Sequence, residues 1–351
     1  MLQGGGQLAC LYAWAGNERP AFAWAHSRTR IISKMKDLSK ESVNWAKIAE
    51  ESAGQRIDNF LARHLKGVPK SHIYRILRSG EVRVNKKRVD QTYRLELGDT
   101  VRIPPVRVEA AKAPDYVPAA EFPVLYEDDA LLVVNKPAGV AVHGGSGVSF
   151  GVIEQLRSAR PQAKFLELVH RLDRETSGIL ILAKKRSALT ALHAQMREGR
   201  TDKRYLTLVL GQWKNPRQHV KLPLHKFTRP DGERRVMVSD EGQASHTIFA
   251  LQRGWADYSL LEAQLKTGRT HQIRVHLSHL GFPIAGDDKY GDFARNKELA
   301  KRGLKRMFLH AHAIAFEHPL TGETLRLMAP LPPELQAFID RLGGEGAPAQ
   351  G

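Results

Sequence analysis

The stretch VHRLDRETSGILIL at residues 169–182 sets one carboxylate, Asp173, among His170, Arg171 and Arg174, then turns directly into an apolar run. Ile179 to Leu182 has the short, continuous apolar character of a strand covered on both faces. Gly178 permits a sharp approach to that strand. A loop anchored this way can hold an acidic side chain still for nucleophilic or charge-stabilising work. A surface loop with ordinary ion pairs is the plain alternative for this stretch taken alone. Three other segments carry chemistry-bearing residues. DKRYLTLVLG places Tyr205 at the start of an apolar strand beside Lys203 and Arg204. KTGRTHQIRVHLSHLGFPIAGDDKYG joins a Gly turn with Arg269, a helix-like run with Arg274, and a second Gly-rich turn. LYEDDALLVVNKPAGVAVHGGSG ends a buried strand in Asn135-Lys136-Pro137 and a Gly-rich loop.

Several familiar chemistries fail on spacing. His271, His276 and His279 invite a zinc reading, but no cysteine or nearby acid completes a tetrahedral set. HRLD differs from the kinase catalytic loop, where Asp directly follows Arg, and neither an ATP loop nor Asp-Phe-Gly is present. The Gly-rich loop after Lys136 lacks the Lys-Ser/Thr ending of a nucleotide-binding loop. Ser177 beside Gly178 is not a nucleophile elbow, because G-x-S-x-G is absent. Tyr205 as simple core packing stays open until its neighbours are known. One combination fits all four segments: a carboxylate, a cation to keep it ionised, an aromatic platform and basic surfaces for a polyanion.

These residues need elements to position them. Within residues 50–104, Ile57, Phe60, Leu61 and Leu65 recur at helical spacing, and Ser71 is placed to cap a second helix carrying Ile73, Ile76 and Leu77. GEVRVNKKRV reads as a hairpin about Asn85-Lys86-Lys87, and LELGDTVRIP adds a short strand. Seven cations, Lys70, Arg75, Arg78, Arg83, Lys86, Lys87 and Arg88, lie within nineteen residues offset by Glu81 alone. That density favours phosphate binding over a merely solvated face. Residues 105–123, rich in Pro and Ala, form a linker. The larger domain, residues 124–342, shows strand-like runs at 130–134, 179–183, 205–210, 245–251, 258–265 and 308–316. Helical patterns occur at 152–156, 187–196 and 271–280. Strands that follow one another without intervening helices predict an α+β fold on a mainly antiparallel mixed sheet.

The whole composition agrees with these parts. A hydrophobic fraction of 42% and a charged fraction of 26% belong to globular domains, and 351 residues accommodate two or three of them. The formal charge of +17 creates a field attractive to polyanions, nucleic acid first and an anionic membrane surface second. No run approaches the roughly 18 apolar residues that a membrane span requires, so an integral membrane protein is excluded, and of the two polyanions nucleic acid, not a membrane, is the expected partner. The single Cys10 forbids an internal disulfide and fits a reducing, cytoplasmic setting. Residues 1–34 have no regular period and read as disordered, or as sequence upstream of a start at Met35. Residues 343–351 read as a flexible tail.

GQRIDNFL and VPKSHIYRILRSGEVRVNKKRV resemble the S4 RNA-binding domain, whose helices and β-turn grip structured RNA. HRLDRETSGILILAKK, KRYLTLVLG and TGRTHQIRVH resemble, in order, the three signatures of the RluA-type pseudouridine synthases. The likeness covers nearly everything from about residue 55 onward. With the S4-like unit in front and VHGGSGVSFGVIEQLR after the first segment, it narrows to members that isomerise particular uridines in the 23S rRNA of the large ribosomal subunit. That reaction exchanges no electrons and releases no group, so the resemblance implies no metal, redox cofactor or nucleotide, and a monomer.

By the same resemblance Asp173 is the catalytic carboxylate. It attacks either C1′ or the uracil ring, or stabilises charge as the bond opens. Tyr205 stacks on the target base and its hydroxyl can assist the final C5 deprotonation. Arg171 fills the space left by an extruded base. His170 joins the substrate-binding group, more as a structural hydrogen-bonding residue than as a proton carrier. Burying a carboxylate disfavours its charged form, and a neighbouring cation opposes that. Arg274 is the chosen partner, with Arg269 in the same motif as its rival. A non-catalytic rRNA-binding assembly factor is the competing reading, and it needs none of Asp173, Tyr205 and Arg274. A DNA-binding regulator fits less well, since no helix-turn-helix pair or dimer seam appears.

Overall fold

A computed structural model describes residues 43–65, 67–106, 116–145 and 148–344. The expectations for residues 1–34 therefore lie outside the described residues, as does most of the predicted tail. In the small N-terminal unit, β1 (Asn44–Lys47) leads to α1 (Ile57–His64) and α2 (Lys70–Arg78), followed by β2 (Arg83–Val84) and β3 (Thr100–Ile103). The spacing that predicted the helices is the spacing that buries them: Ile57, Phe60 and Leu61 from α1 meet Ile73, Ile76 and Leu77 from α2 in one core.

Two local expectations are corrected. Pro69 occupies the N-cap of α2, without any side-chain cap, and Ser71 lies inside the first turn. Proline suits that position because its fixed φ precedes the helix and its missing N–H is not needed there. The hairpin closes on two residues, Asn85 and Lys86, both at positive φ (49° and 68°), the geometry of a tight hairpin turn. Only Val84 and Lys87 bridge across it. β2 instead pairs with β3, and β1, upstream of the predicted boundary, completes a sheet of order β1-β3-β2.

The larger domain runs β4 (Val124–Glu127), β5 (Leu131–Lys136), α3 (Val152–Ala159), β6 (Glu167–Leu168), β7 (Ser177–Ala183), α4 (Arg186–Arg197) and β8 (Asp202–Leu210). It continues through β9 (Arg217–Val220), β10 (Leu224–Thr228), β11 (Arg234–Val238), β12 (Thr247–Gly254), β13 (Tyr258–Leu265) and α5 (Gln272–His279). It ends with α6 (Phe293–Lys301), β14 (Leu309–Glu317), β15 (Thr324–Met328) and α7 (Pro333–Gly344). One sheet has the path β4-β5-β7-β14-β8-β13-β12-β9, with β15 on β14 and β6 on β7, while β10 and β11 form a separate two-stranded hairpin. In the large sheet only the β14–β7 pairing is parallel. The protein is α+β, with the small helix-and-hairpin unit in front of a mostly antiparallel mixed sheet.

β7 is buried at every residue, as its unbroken apolar run requires. Ile179, Ile181 and Ala183 face Ala188, Leu189 and Leu192 of α4. Leu180 and Leu182 face the opposite way, into the core shared with Ile153 and Leu156 of α3. Gly178 has φ +111°, and a Cβ there would stand 2.2 Å from the Ala311 carbonyl oxygen, where β7 meets β14. No other residue fits, and the chain enters β7 at a fixed angle.

Helices α6 and α7 fall outside the predicted set. Asp292 caps α6 by accepting from the N–H groups of Ala294 and Arg295. α7 packs Leu335, Phe338, Ile339 and Leu342 against Leu208 and Tyr258 of the sheet, and it continues through Gly344, two residues into the predicted tail. Residues 116–123 of the predicted linker are tied to the larger domain. Ser158 Oγ donates to the Val117 carbonyl at 3.0 Å, and Arg160 forks onto Glu121 with two bonds of 2.8 Å. Among the described residues no helix is long and apolar enough to cross a membrane.

Candidate active site

The loop between β6 and β7 carries Asp173, and its main chain is held from below. Lys136, fully buried at the end of β5, donates to the carbonyls of Pro137 (2.7 Å), Val140 (2.8 Å) and Arg174 (3.1 Å). Three acceptors match the three N–H donors of an ammonium. Burial, with the charge of Arg306 adding, pushes this group down to about 7, and Glu175 and Asp173 oppose the shift. Arg306 Nη2 donates to Ser177 Oγ at 2.7 Å, and Ser177 Oγ also lies 2.9 Å from His310 Nδ1. The Thr176 N–H closes the loop on the Asp173 carbonyl at 3.1 Å.

The carboxylate itself is held far less tightly. Its side chain is 18% exposed, and Oδ2 stands 3.5 Å from Arg274 Nη1, the outer limit of a hydrogen bond. Oδ1 stands 3.8 Å from His271 Nε2. Arg274 gives its short bonds elsewhere. Nε and Nη2 each reach the Asp287 carboxylate at 2.7 Å, a bidentate pair with side-chain exposures of 5% and 1%. Asp287 also accepts from the N–H groups of Lys289 (2.8 Å) and Tyr290 (2.9 Å). Burial alone would raise the Asp287 carboxyl, but the bonds and charge of Arg274 carry it below its ordinary value. Burial likewise opposes the Arg274 charge, and Asp287, with Asp173 adding, raises the guanidinium above its usual range. The cation beside Asp173 is therefore permanent.

Tyr205 enters from β8 and lines a cleft of about 550 Å³ together with Asp173, Arg171, Arg269 and Arg274. Burial, with the negative charge of Asp173 adding, pushes its phenol above the ordinary value. The hydroxyl stays protonated at physiological pH. Arg171 is exposed and also lines an adjoining hollow of about 380 Å³ shared by Asp173, His271 and Arg274. Arg269 is exposed, and its Nε donates to the Ala244 carbonyl at 3.2 Å. Of the two rival arginines, Arg274 is the one that meets Asp173. His170 accepts at Nε2 from the Ile181 N–H of β7 at 3.1 Å. Burial, with the charge of Lys203 adding, pushes its imidazole down to about 4, so it serves β7 as a neutral acceptor.

The three histidines weighed for zinc diverge. His276 is buried against Ser245 Oγ and Thr247 Oγ1, His271 faces the site, and His279 is exposed. Four residues of the site carried no role in the sequence reading. Asp287 and Tyr290 belong to GDDKYG, His271 opens α5, and Lys136 closes an otherwise apolar strand. The last had a legible signal, since a lysine ending a run of buried residues needs several acceptors. The seven cations of the S4-like unit are all exposed. Arg83 Nε donates to the Gly80 carbonyl and Arg88 Nη2 to the Ser79 carbonyl, which joins the turn to the end of α2 as one basic surface.

Residues 130–279 match the family described as RNA pseudouridylate synthase, and residues 55–101 match the S4 domain. Ribosomal large subunit pseudouridine synthase C of Pasteurella multocida (strain Pm70) is 55% identical over 315 residues, covering 88% of this chain and 97% of the relative. The protein of the same name from Escherichia coli (strain K12) is 56% identical over 309 residues, covering 86% and 97%. The chain belongs to the RNA pseudouridylate synthase family. Among solved structures, Human RNA Pseudouridylate Synthase Domain Containing 4 superposes with a TM-score of 0.53 at 27% identity, covering 63% of this chain and 92% of that one. The family match takes in Asp173, Tyr205 and Arg274, whereas Asp287 and Tyr290 lie just past its end. Within this pseudouridylate synthase, the part that grips Arg274 and the part that presents Asp173 thus come from segments far apart in the chain.

Proposed function

We propose that this chain converts particular uridines of 23S rRNA in the large ribosomal subunit to pseudouridine, in the cytoplasm, with Asp173 as the catalytic carboxylate. The observation that carries the reading is the cleft itself. A loosely held acid stands between a buried tyrosine and a permanent guanidinium, in a chain with high identity to enzymes named for the large ribosomal subunit. In the reaction the N1–C1′ bond breaks, the uracil turns, C5 bonds to C1′, and the C5 proton leaves while N1 gains one. Atoms and electrons balance within the substrate.

Each residue takes a part that its setting supports. Asp173, free of any short bond, meets the charge that develops at C1′ or on the ring. Tyr205 offers an apolar face to the uracil and a neutral hydroxyl near C5. A uridine in folded RNA must leave its stack first, at a cost of about a few kcal/mol, and Arg171, exposed at the rim, fills the vacancy. Arg269 and the S4-like cations hold phosphates. The test is Asp173→Asn, read by tritium release from C5-labelled uridine in large-subunit rRNA. Release should vanish while RNA affinity stays near that of the unaltered chain. Near-normal release by the variant would remove Asp173 from the chemistry, whereas no release from the unaltered chain would favour the non-catalytic reading.

A further inference from the structure

One line of contacts leads from Asp173 to the β10–β11 hairpin. His271 caps α5 in a left-handed backbone conformation, with φ 52° and ψ 22°, uncommon for a residue other than glycine. In this pose its Nδ1 lies 2.8 Å from the Tyr290 hydroxyl and its Nε2 faces Asp173 Oδ1 at 3.8 Å. The same hydroxyl accepts from the Val236 N–H of β11 at 3.0 Å.

The proton inventory follows from these partners. A backbone N–H only donates, so Val236 takes a lone pair of the phenol oxygen; the Asp173 carboxylate facing Nε2 favours a proton there, which makes Nδ1 the acceptor of the phenol proton. An imidazole accepting at Nδ1 carries its own proton on Nε2, the nitrogen turned to Asp173. Burial, with Arg274 and Lys289 adding and Asp173 and Asp287 opposing, lowers the imidazole below its ordinary value and keeps it neutral. The 3.8 Å to Asp173 exceeds the outer limit of a hydrogen bond by about 0.3 Å, the kind of gap that closes when a site fills.

Tyr290 is also sewn to the hairpin by its neighbour. Lys289 Nζ donates to the Arg234 carbonyl at 2.6 Å and pairs with Glu233 at 2.9 Å. Arg235 Nη1 returns a bond of 3.0 Å to the Lys289 carbonyl. The hairpin exposes Lys226, Arg229 and Arg234, cations placed to meet a phosphate backbone.

We propose that Tyr290 and His271 form a positioning relay through which the β10–β11 hairpin sets the orientation of the Asp173 carboxylate. Neither is a catalytic residue; each acts through Asp173, and the inference rests on the function proposed above. The relay makes seating of RNA against the hairpin and readiness of the carboxylate one event.

The test uses the full chain and a large-subunit rRNA transcript, with Tyr290→Phe, His271→Asn and the double variant. Asparagine is chosen because it tolerates the left-handed conformation. Each single variant breaks the relay at the His271–Tyr290 bond and should lower kcat about tenfold, with KM within about twofold, and the double should be no slower than the slower single. Nitrogen NMR of histidine-labelled protein should report His271 protonated at Nε2, and Tyr290→Phe should disturb that tautomer. Unaltered kcat in either single variant, multiplied losses in the double, or an Nδ1-protonated His271 would overturn the relay. If Tyr290→Phe fails to fold, His271→Asn and the tautomer of the unaltered protein still decide. A chain that releases no tritium at all sinks the proposed function, whereas active protein with an indifferent Tyr290→Phe sinks only the relay.

Discussion

Arg274→Met puts the greatest load on the site as described. The substitution leaves the Asp287 carboxylate, 1% exposed, with only two backbone N–H donors. Stranding one member of a buried ion pair costs about 3–5 kcal/mol, which for a domain of this size is a fall in Tm of about 10 °C. The effect on chemistry is separate. A unit-charge pair at the observed 3.5 Å interacts by roughly 5 kcal/mol at an effective dielectric near 20, before Asp287 and solvent screen it. If about half survives in the transition state, turnover drops on the order of a hundredfold. The double variant Arg274→Met, Asp287→Asn separates the two effects. It removes both charges, yet the asparagine oxygen still accepts from Lys289 and Tyr290. Most of the stability should return and turnover should not. Circular-dichroism melting and single-turnover tritium release at saturating RNA read the two quantities. Recovery of turnover along with stability would show that Asp173 needs no cation and that Arg274 is only a strut. A loss below about 1 kcal/mol in the single variant would refute the buried pair as a strut.

Two further outcomes follow from the titrating groups and the basic surface. His170, His276 and His310 are each pushed down to about 4 from 6.5, chiefly by burial. The unfolded chain therefore binds more protons between these values, and stability should fall as pH drops from 6.5 towards 4, by up to about 3 kcal/mol per histidine. Urea unfolding at successive pH values checks this, and a flat profile across the window would refute neutral burial. Replacing Arg75, Arg78, Lys86 and Lys87 with glutamine should make the slope of log affinity for rRNA against log salt shallower by about 3, at roughly 0.7–0.9 per phosphate contact. An unchanged slope would leave the S4 unit without its proposed hold on RNA.

How far the sequence carried this reading depended on how local each signal was. The run at 179–182 announced a strand covered on both faces because every residue is apolar, and β7 is buried throughout. The 3.6-residue spacing of Ile57, Phe60 and Leu61 likewise marks α1 without help from tertiary structure. Asp287 could not be found this way. In GDDKYG an acid reads as a turn residue, and only the arrival of α5 turns it into the partner of a buried arginine. The choice of Arg274 over Arg269 rested on the resemblance and not on periodicity, because α5 is buried from Gln272 to Leu277 and shows no amphipathic face to single out its inward arginine. α7 was within reach: Leu335, Phe338, Ile339 and Leu342 have the helical spacing that marked α1, and Pro333 is placed to open a helix.

The site divides its rigidity unevenly, and the proposed chemistry explains why. The Asp173 main chain is fixed by Thr176, by the Lys136 ammonium on the next carbonyl, and by Arg306 through Ser177. Among the described residues its carboxylate has only the two long approaches, 3.5 Å to Arg274 and 3.8 Å to His271. A carboxylate clasped by a bidentate arginine is a poor nucleophile, since its lone pairs are occupied and must be freed before they reach carbon. Supplying the positive charge from an arginine whose short bonds belong to another acid avoids this. Asp287 fixes where the guanidinium stands, so the charge near Asp173 is set by the scaffold and not by Asp173 itself. Both oxygens then remain available to the substrate, while the loop beneath them holds their position to within a side-chain rotation.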